Sequence, residues 1–418
     1  MNSIWFRFKR QLLLFFVVLG PGLITAMADN DAGGVATYSV AAATYGMASQ
    51  YLIILTTVLL AVTQGIGSKI AIVTSKGLGD LIRENFGAKV AVSLFSFYFL
   101  VNSGVVLQNV TGLKSAIQLL GLTWQPWLVF ICLLLVVLVI KVNYKNLQKI
   151  FLATILFYAT YLVSAFLSNP NWGEAVRQSL VWPGKSFITD ADYWFTLIAV
   201  LGTTVTAWGQ FFINSYVADK GLKPSQMKEA QAEVYVGAIM TNIFSWLIAV
   251  AVTYTLFSNN ILATDGFAAA SAIEPLAGHL AYLLFAVGLL AASFLGLTIV
   301  PLATAYVFTE LFGFERTLNA SFKKGKVFYT IFSLQIVAAL LIALIPKMNL
   351  FKITLFADFL NGAMLPVIFY FLIRFSEDGK LMGQYVVKGF SKFFVRVSAI
   401  VITFAVVASF FGKIIEKF

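Results

Sequence analysis

Gly20-Pro21-Gly22-Leu23-Ile24-Thr25-Ala26-Met27-Ala28-Asp29-Asn30-Asp31-Ala32-Gly33-Gly34 is the stretch on which the reading of this chain turns. It interrupts an apolar run from about residue 11 to residue 44, and about 20 mostly apolar residues suffice to cross a bilayer. Glycines and β-branched hydroxyl residues at mid-membrane free backbone carbonyls that only a cavity or an ion can satisfy. Close helix packing explains the glycines. It does not explain Asp29 and Asp31, because a carboxylate inside a span is costly and by default functional.

Working outward, the composition agrees with a membrane chain. Of 418 residues, 60% are apolar and 11% charged, with 29 Lys and Arg against 18 Asp and Glu. Soluble domains carry about 45–50% apolar and about 25% charged residues. Mean hydropathy is +0.88. A soluble multi-domain enzyme cannot be surfaced with so few charges. Disorder is excluded by the same arithmetic, and a disulfide-stapled fold by the single cysteine, Cys132.

Candidate spans are 11–44, 47–74, 90–119, 124–142, 146–168, 193–217, 231–257, 277–309, 327–345, 350–374 and 393–414. Placing the N-terminus inside puts 20 lysines and arginines on inner segments and 6 on outer ones. That asymmetry follows the positive-inside rule along the whole chain. The net charge of +11 is therefore a topology signal and implies no nucleic acid. The expected placement is the plasma (inner) membrane, with a cytoplasmic N-terminus and an extracytoplasmic C-terminus. Arg7, Lys9 and Arg10 resemble a signal-peptide start, but the apolar run continues through Gly20 without a cleavage site, so it reads as a retained span. The outer loop from about Ser168 to Asp192, with Trp172 and Trp182, has an ordered, interfacial look. No Walker-type phosphate loop is present.

Span 6 is interrupted as span 1 is, at Gly202-Thr203-Thr204-Val205-Thr206-Ala207-Trp208-Gly209-Gln210. Two broken spans in matching positions predict inverted five-span repeats with the site at their interface. The expected organisation is one transmembrane domain over 1–418, with repeats at 11–168 and 193–374 and an additional helix at 393–414. Carboxylate, amide, carbonyl and water oxygens without thiolate suit Mg²⁺, Ca²⁺ or Mn²⁺. Asp29 and Asp31 would point apart on a regular helix, so only an unwound segment brings both near one ion. Asp31 is expected as the direct ligand, with Asp29 behind it or in the aqueous access path.

At these residues the chain resembles the Nramp transition-metal transporters. The likeness is carried by Gly20-Pro21-Gly22-Leu23-Ile24, by Ala28 to Thr37, and by Ile70-Ala71-Ile72-Val73-Thr74-Ser75-Lys76-Gly77-Leu78. It implies an all-α polytopic fold of the leucine-transporter (LeuT) type, with five plus five helices, an eleventh helix, and helices 1 and 6 unwound at mid-membrane. The departures are informative. The family's Asp-Pro-Gly-Asn is here Asp31-Ala32-Gly33-Gly34, so the ligand Asn becomes Gly34. In span 6 the family uses a small residue's carbonyl, a Met thioether and then Pro-His. This chain has Thr203 to Trp208, with Thr206 at the Met position and Trp208 at the His position. A hydroxyl or bound water does not favour soft metals as a thioether does. The larger site suits Mg²⁺, which dehydrates reluctantly. The pattern is similar to the Nramp-related magnesium transporters. Met27 and Met364 are the nearby thioethers on which a transition-metal reading would rest.

Family members move protons along acids in span 3 and a span 6 His. Span 3 here has no Asp, Glu or His, and Asn109 falls about where the family has its acid. The one histidine, His279, starts span 8 at the expected outer surface. Transport is therefore expected without proton coupling. Asp358 in span 10 stands at roughly a family Gln position, as a ligand, a water-holding group or the partner of a base. Glu233 at the start of span 7 reads as a solvated or capping residue. Trp208 is either an aromatic gate or core, and Gln210 and Asn214 share a face that would line the inner path. Cys132 reads as a small hydrophobe.

The resulting expectation is a transporter, not an enzyme, importing Mg²⁺ and also Mn²⁺ as partly hydrated ions. Its expected metal-site residues are Asp31, Asp29, Gly34, Thr203, Thr206 and Asp358, with Trp208, Gln210, Asn214 and Asn109 along the access path or gate. It would need no resident cofactor, sit in the bilayer as a monomer, and imply no soluble partner. The alternatives are a proton-coupled Mn²⁺/Fe²⁺ importer and a sodium-coupled amino-acid transporter of the same fold. Against the latter, two carboxylates in span 1 repel a substrate carboxylate.

Overall fold

Span 1 is two short helices rather than one. The computed structural model describes residues 20–142, 144–184, 190–262, 278–315, 318, 322–345 and 350–415. Helix α1 (Pro21–Ala28) ends at Asp29, and α2 (Ala32–Tyr45) restarts on Asp31, whose backbone is extended. The two halves have 8 and 14 residues, each too short to cross a bilayer alone. Residues 11–19 of the expected span lie outside the described residues.

The chain continues as α3 (Ile53–Thr74), α4 (Leu78–Leu119), α5 (Trp124–Lys141), α6 (Tyr144–Leu156), α7 (Ala159–Leu167) and α8 (Trp172–Leu180). Span 6 is α9 (Ala191–Thr204) and α10 (Ala207–Lys220), separated at Val205 and Thr206. Then follow α11 (Met227–Thr255), α12 (His279–Phe312), α13 (Lys326–Ala343), α14 (Leu350–Ser376), α15 (Gly379–Met382) and α16 (Phe390–Ile415). Among the described residues, ten helical stretches are long and apolar enough to cross a membrane, and the halves of span 1 come in addition. Helices 1 and 6 are unwound as expected, at Asp29-Asn30-Asp31 and at Val205-Thr206, while Gly33, Gly34, Gly202 and Gly209 lie inside the flanking helices.

The interrupted helices sit inside. In the stretch from Ala191 to Lys220 the most apolar window is 89% buried, against 11% for α16, which faces outward. Around the breaks, α1 packs on α11, α9 on α14, and α4 on α12.

Two boundaries differ from expectation. Span 5, read as one helix from 146 to 168, is broken between α6 and α7 at Phe157-Tyr158. No glycine or proline marks that break; the turn aims the Tyr158 hydroxyl at the Asn30 carbonyl, 3.0 Å away. Span 3, expected from residue 90, begins at Leu78 and kinks at Gly87, which adopts φ 78°. The loop after Ser168 is ordered as expected over its described part. Trp246 Nε1 donates to Ser179 Oγ at 2.8 Å, and the Tyr254 hydroxyl to the Asn171 carbonyl at 3.0 Å. Arg7, Lys9, Arg10, Lys185, Arg316, Lys347 and Lys417, used for orientation, lie outside the described residues.

Candidate metal site

Both broken helices restart in the same way. Asp31 caps α2 by accepting from the Gly34 amide at 3.0 Å, and Thr206 caps α10 by accepting from the Gly209 amide at 2.9 Å. Each cap satisfies one of the amide donors a helix start leaves open. The next amide is also met, each time by an asparagine from another helix. Ala32 N donates to Asn109 Oδ1 at 3.0 Å, and Ala207 N to Asn361 Oδ1 at 3.1 Å. Asp31-Ala32-Gly33-Gly34 and Thr206-Ala207-Trp208-Gly209 thus repeat one local solution.

The carboxylates are buried, with Asp29 1%, Asp31 3% and Asp358 2% exposed. Asp31 turns toward α4, where Asn109 Nδ2 donates to its Oδ2 at 2.6 Å. Asp29 turns the other way. Thr206 donates to its Oδ1 at 2.7 Å, and Gln64 on α3 to its Oδ2 at 3.1 Å. The unwound segment therefore does not converge the two carboxylates on one partner, although they lie near enough to repel each other. Asp358 on α14 accepts from the Thr37 hydroxyl on α2, and it also lies within repulsive range of Asp31. Among the described residues, no three of His, Cys, Asp and Glu form a metal-holding group. A cation here would rest on separate carboxylates, neutral oxygens and water.

Gly34 is where neutral oxygens gather. A Cβ at this position would stand 2.8 Å from the Asp29 carbonyl oxygen and 3.2 Å from Thr203 Oγ1. Only glycine leaves that approach open. Thr203 is therefore brought to the span 1 break, whereas Thr206 is committed to Asp29 and to its own helix.

The access-path residues are buried. Trp208, Gln210 and Asn214 are each 0% exposed. Asn214 Nδ2 donates to the Gly67 carbonyl on α3 at 2.9 Å. Trp208 Nε1, both Gln210 side-chain atoms, Asn214 Oδ1, Gln64 Oε1 and Ser68 Oγ have no hydrogen-bond partner among the described residues. Buried polar atoms left in this way call for water or an ion.

Sequence reading missed Gln64, Thr37, Asn361 and Asn30. Gln64 and Ser68 are spaced i, i+4 in an apolar span, and Asn361 follows Asp358 by three, so helical spacing was the available signal. Asn30 braces the break: its Nδ2 donates to the Thr241 carbonyl at 2.6 Å, and Ser245 donates to its Oδ1 at 2.7 Å. Glu233 is 1% exposed, so the solvated alternative is corrected. It caps α1, accepting from the Gly20 amide and from the Leu23 amide at 3.1 Å. His279 is exposed and stacks on Tyr282. Met27, Met364 and Cys132 lie in the core.

With this geometry in place, comparison with known proteins gives a consistent result. A family model described as natural resistance-associated macrophage protein-like (Nramp) matches residues 22–412. The chain belongs to the Nramp family. A divalent metal cation transporter MntH of Listeria welshimeri is 24% identical over 397 residues, covering 91% of this chain and 85% of that protein. The MntH of Latilactobacillus sakei is 23% identical over 242 residues, 56% of this chain and 51% of that protein. Among solved structures, the Eremococcus coleocola manganese transporter, in complex with an aromatic bis-isothiourea substituted compound, superposes with TM-score 0.71 at 16% identity, covering 98% and 87% of the two chains. MhsT in complex with L-phenylalanine gives TM-score 0.61 at 14% identity, covering 94% and 98%. At these identities the two structures establish a shared LeuT-type fold.

Proposed function

We propose that this Nramp-family chain imports divalent metal ions across the plasma membrane by alternating access, taking Mg²⁺, and Mn²⁺ with it, as a partly hydrated ion and without proton coupling. The observation that carries this reading is the set of oxygens around Gly34. The Asp29 carbonyl and Thr203 Oγ1 face a position where Gly34 adds no side chain, and the Gly34 amide donates to Asp31 Oδ1 beside it. Hard oxygen donors with room for retained water suit Mg²⁺. The names of the MntH relatives favour divalent metal cations as the cargo class.

Asp31 would be the direct ligand and Asp29 would hold water through the network with Thr206 and Gln64. Asp358, joined to α2 through Thr37, would reach the ion from α14. The unpartnered atoms of Gln64, Ser68, Trp208, Gln210 and Asn214 would be solvated along the inner path when it opens. Asn109 supports the uncoupled reading, because its amide holds Asp31 without a proton to exchange. Inward flux would run on the ion gradient and on membrane potential, at about 2.3 kcal/mol per charge per 100 mV. The positive-inside asymmetry supports a cytoplasmic N-terminus and an extracytoplasmic C-terminus. The two matching breaks support five-helix repeats at 11–168 and 193–374, with the helix at 393–414 added outside them. The unit of function in this reading is the monomer.

Purified protein in proteoliposomes tests this. Mg²⁺ uptake without lumenal acidification is expected, as is Mn²⁺ uptake that millimolar Mg²⁺ suppresses. Metal-dependent proton movement would overturn the uncoupled reading, and Mn²⁺ uptake indifferent to Mg²⁺ would overturn the magnesium reading.

A further inference from the structure

The half-helix α1 starts after Gly20 and ends at the span 1 break. At its start, Gly20 adopts φ 148°, in the region glycine favours, and Pro21 has no amide donor to tie the helix to what precedes it. At its end, the helix stops at Asp29 before the Asp31 restart. These eight residues form a short helix whose far end is braced by Asn30 on Thr241 and Ser245, and whose start is held by a side chain of another helix.

The principal neighbour is α11. The contact is close because both surfaces are small: a Cβ on Gly22 would meet the Val234 amide at 2.9 Å, and one on Gly237 would meet the Gly22 carbonyl at 3.1 Å. Such a seam lets the two backbones approach closely, which in lipid is a packing contribution to helix association. The polar tie is Glu233. Its carboxylate accepts from the Gly20 and Leu23 amides, with Gly22 also donating, at the positive end of α1. Lys220, on the last turn of α10, lies within electrostatic reach of the same carboxylate. Glu233 therefore joins the start of α1 to α11, as Asn30 joins its far end through Thr241 and Ser245, and it lies within electrostatic reach of Lys220 at the end of α10.

We propose that Glu233 is the latch of the α1 gate: α1 swings from α11 only when this carboxylate releases the amides of Gly20 and Leu23. Glu233 touches no transported ion in this arrangement; it is a positioning residue for Asp29 and Asp31 at the far end of α1. The inference rests on the alternating-access reading above, but its test does not depend on which ion is carried.

The reporter is a cysteine at Thr25, fully buried on α1, in a background with Cys132→Ala. Its rate of modification by a soluble maleimide is followed in detergent, in protein shown to be monodisperse. Glu233→Ala is expected to raise the rate about tenfold or more, in line with loss of charge-assisted hydrogen bonds. Glu233→Gln, which keeps an acceptor oxygen but loses the charge, is expected to fall between Ala and Glu. Glu310→Ala is the control, because Glu310 accepts from the Gly79 amide at 3.1 Å and so ties a different helix start. It should leave the rate within about twofold. An unchanged rate in both Glu233 variants overturns the latch, and so does an equal rise in Glu310→Ala, which would mean general loosening. If the latch behaves as stated while the parent protein moves no metal in proteoliposomes, the transport reading fails and the latch stands.

Discussion

Asn109 holds the start of α2 with both ends of its amide: Nδ2 donates to Asp31 Oδ2 at 2.6 Å, and Oδ1 accepts from the Ala32 amide at 3.0 Å. The amide orientation is fixed by these two partners, since a flipped group would set oxygen against carboxylate and NH₂ against N–H. A neutral residue therefore braces the carboxylate assigned to the ion.

Asn109→Ala leaves a buried carboxylate oxygen and a buried amide without partners, which costs about 1–3 kcal/mol each. A lower thermal midpoint and weaker metal binding are expected, measured on protein in detergent. Asn109→Asp removes the donor while its carboxyl is ionised and restores it when protonated. Mg²⁺ uptake by this variant should be depressed at neutral pH and rise as the medium is acidified, whereas the parent stays flat. A flat profile in both would mean that the donor is dispensable.

Gly34→Asn with Thr206→Met introduces at both breaks the side chains that the Nramp resemblance implies for these positions. The new Asn would fill the approach between the Asp29 carbonyl and Thr203, and the thioether favours softer metals. Mg²⁺ uptake should fall at least about tenfold with Mn²⁺ or Cd²⁺ uptake retained, a discrimination of about 1.4 kcal/mol or more. Thr206→Met also removes the α10 cap, at a cost of about 0.5–2 kcal/mol, so a lower thermal midpoint accompanies it.

Thr37 and Asp358 close α2 against α14, and their roles separate by substitution. Thr37→Val removes the hydroxyl donor alone, whereas Asp358→Asn keeps an acceptor for Thr37 and removes the charge. If Asp358 meets the ion, Asp358→Asn weakens Mg²⁺ binding about tenfold or more while Thr37→Val changes it little. Calorimetric titration of both variants decides the matter, and equal affinities would confine Asp358 to the closure.

Gln64→Leu tests the network on the other side. It removes the donor to Asp29 Oδ2 and an unpartnered oxygen together. Slower uptake with Asp31-dependent binding preserved is expected, because Gln64 touches Asp29 and not Asp31. Unchanged uptake would remove Gln64 from the path.

Much of the architecture was legible because the membrane imposes it. Backbone groups in hydrocarbon must be satisfied within a helix, so apolar length reports spans, and a polar or glycine-rich interruption reports a break. Asp29, Asp31 and Thr206 could be found this way. The break at Phe157-Tyr158 could not, since apolar residues continue through it. Glu233 was ambiguous for a related reason: near a span end, capping and solvation look alike until the partner is known. Gln64 with Ser68, and Asn361 with Asp358, mark a polar face by their spacing, but nothing local says which neighbour that face, or Thr37, meets.

The sequence by itself determined the helices, the two interruptions and the oxygen-only chemistry at the first of them, because these follow from local composition and solvent. The tertiary structure decided the pairings. It turned Asp31 toward Asn109 and Asp29 toward Thr206 and Gln64, closed Thr37 on Asp358, and brought Glu233 to the start of α1. Those are contacts between residues up to 321 positions apart. Helical periodicity fixes the face a side chain occupies, but only the packing of helices fixes what that face meets.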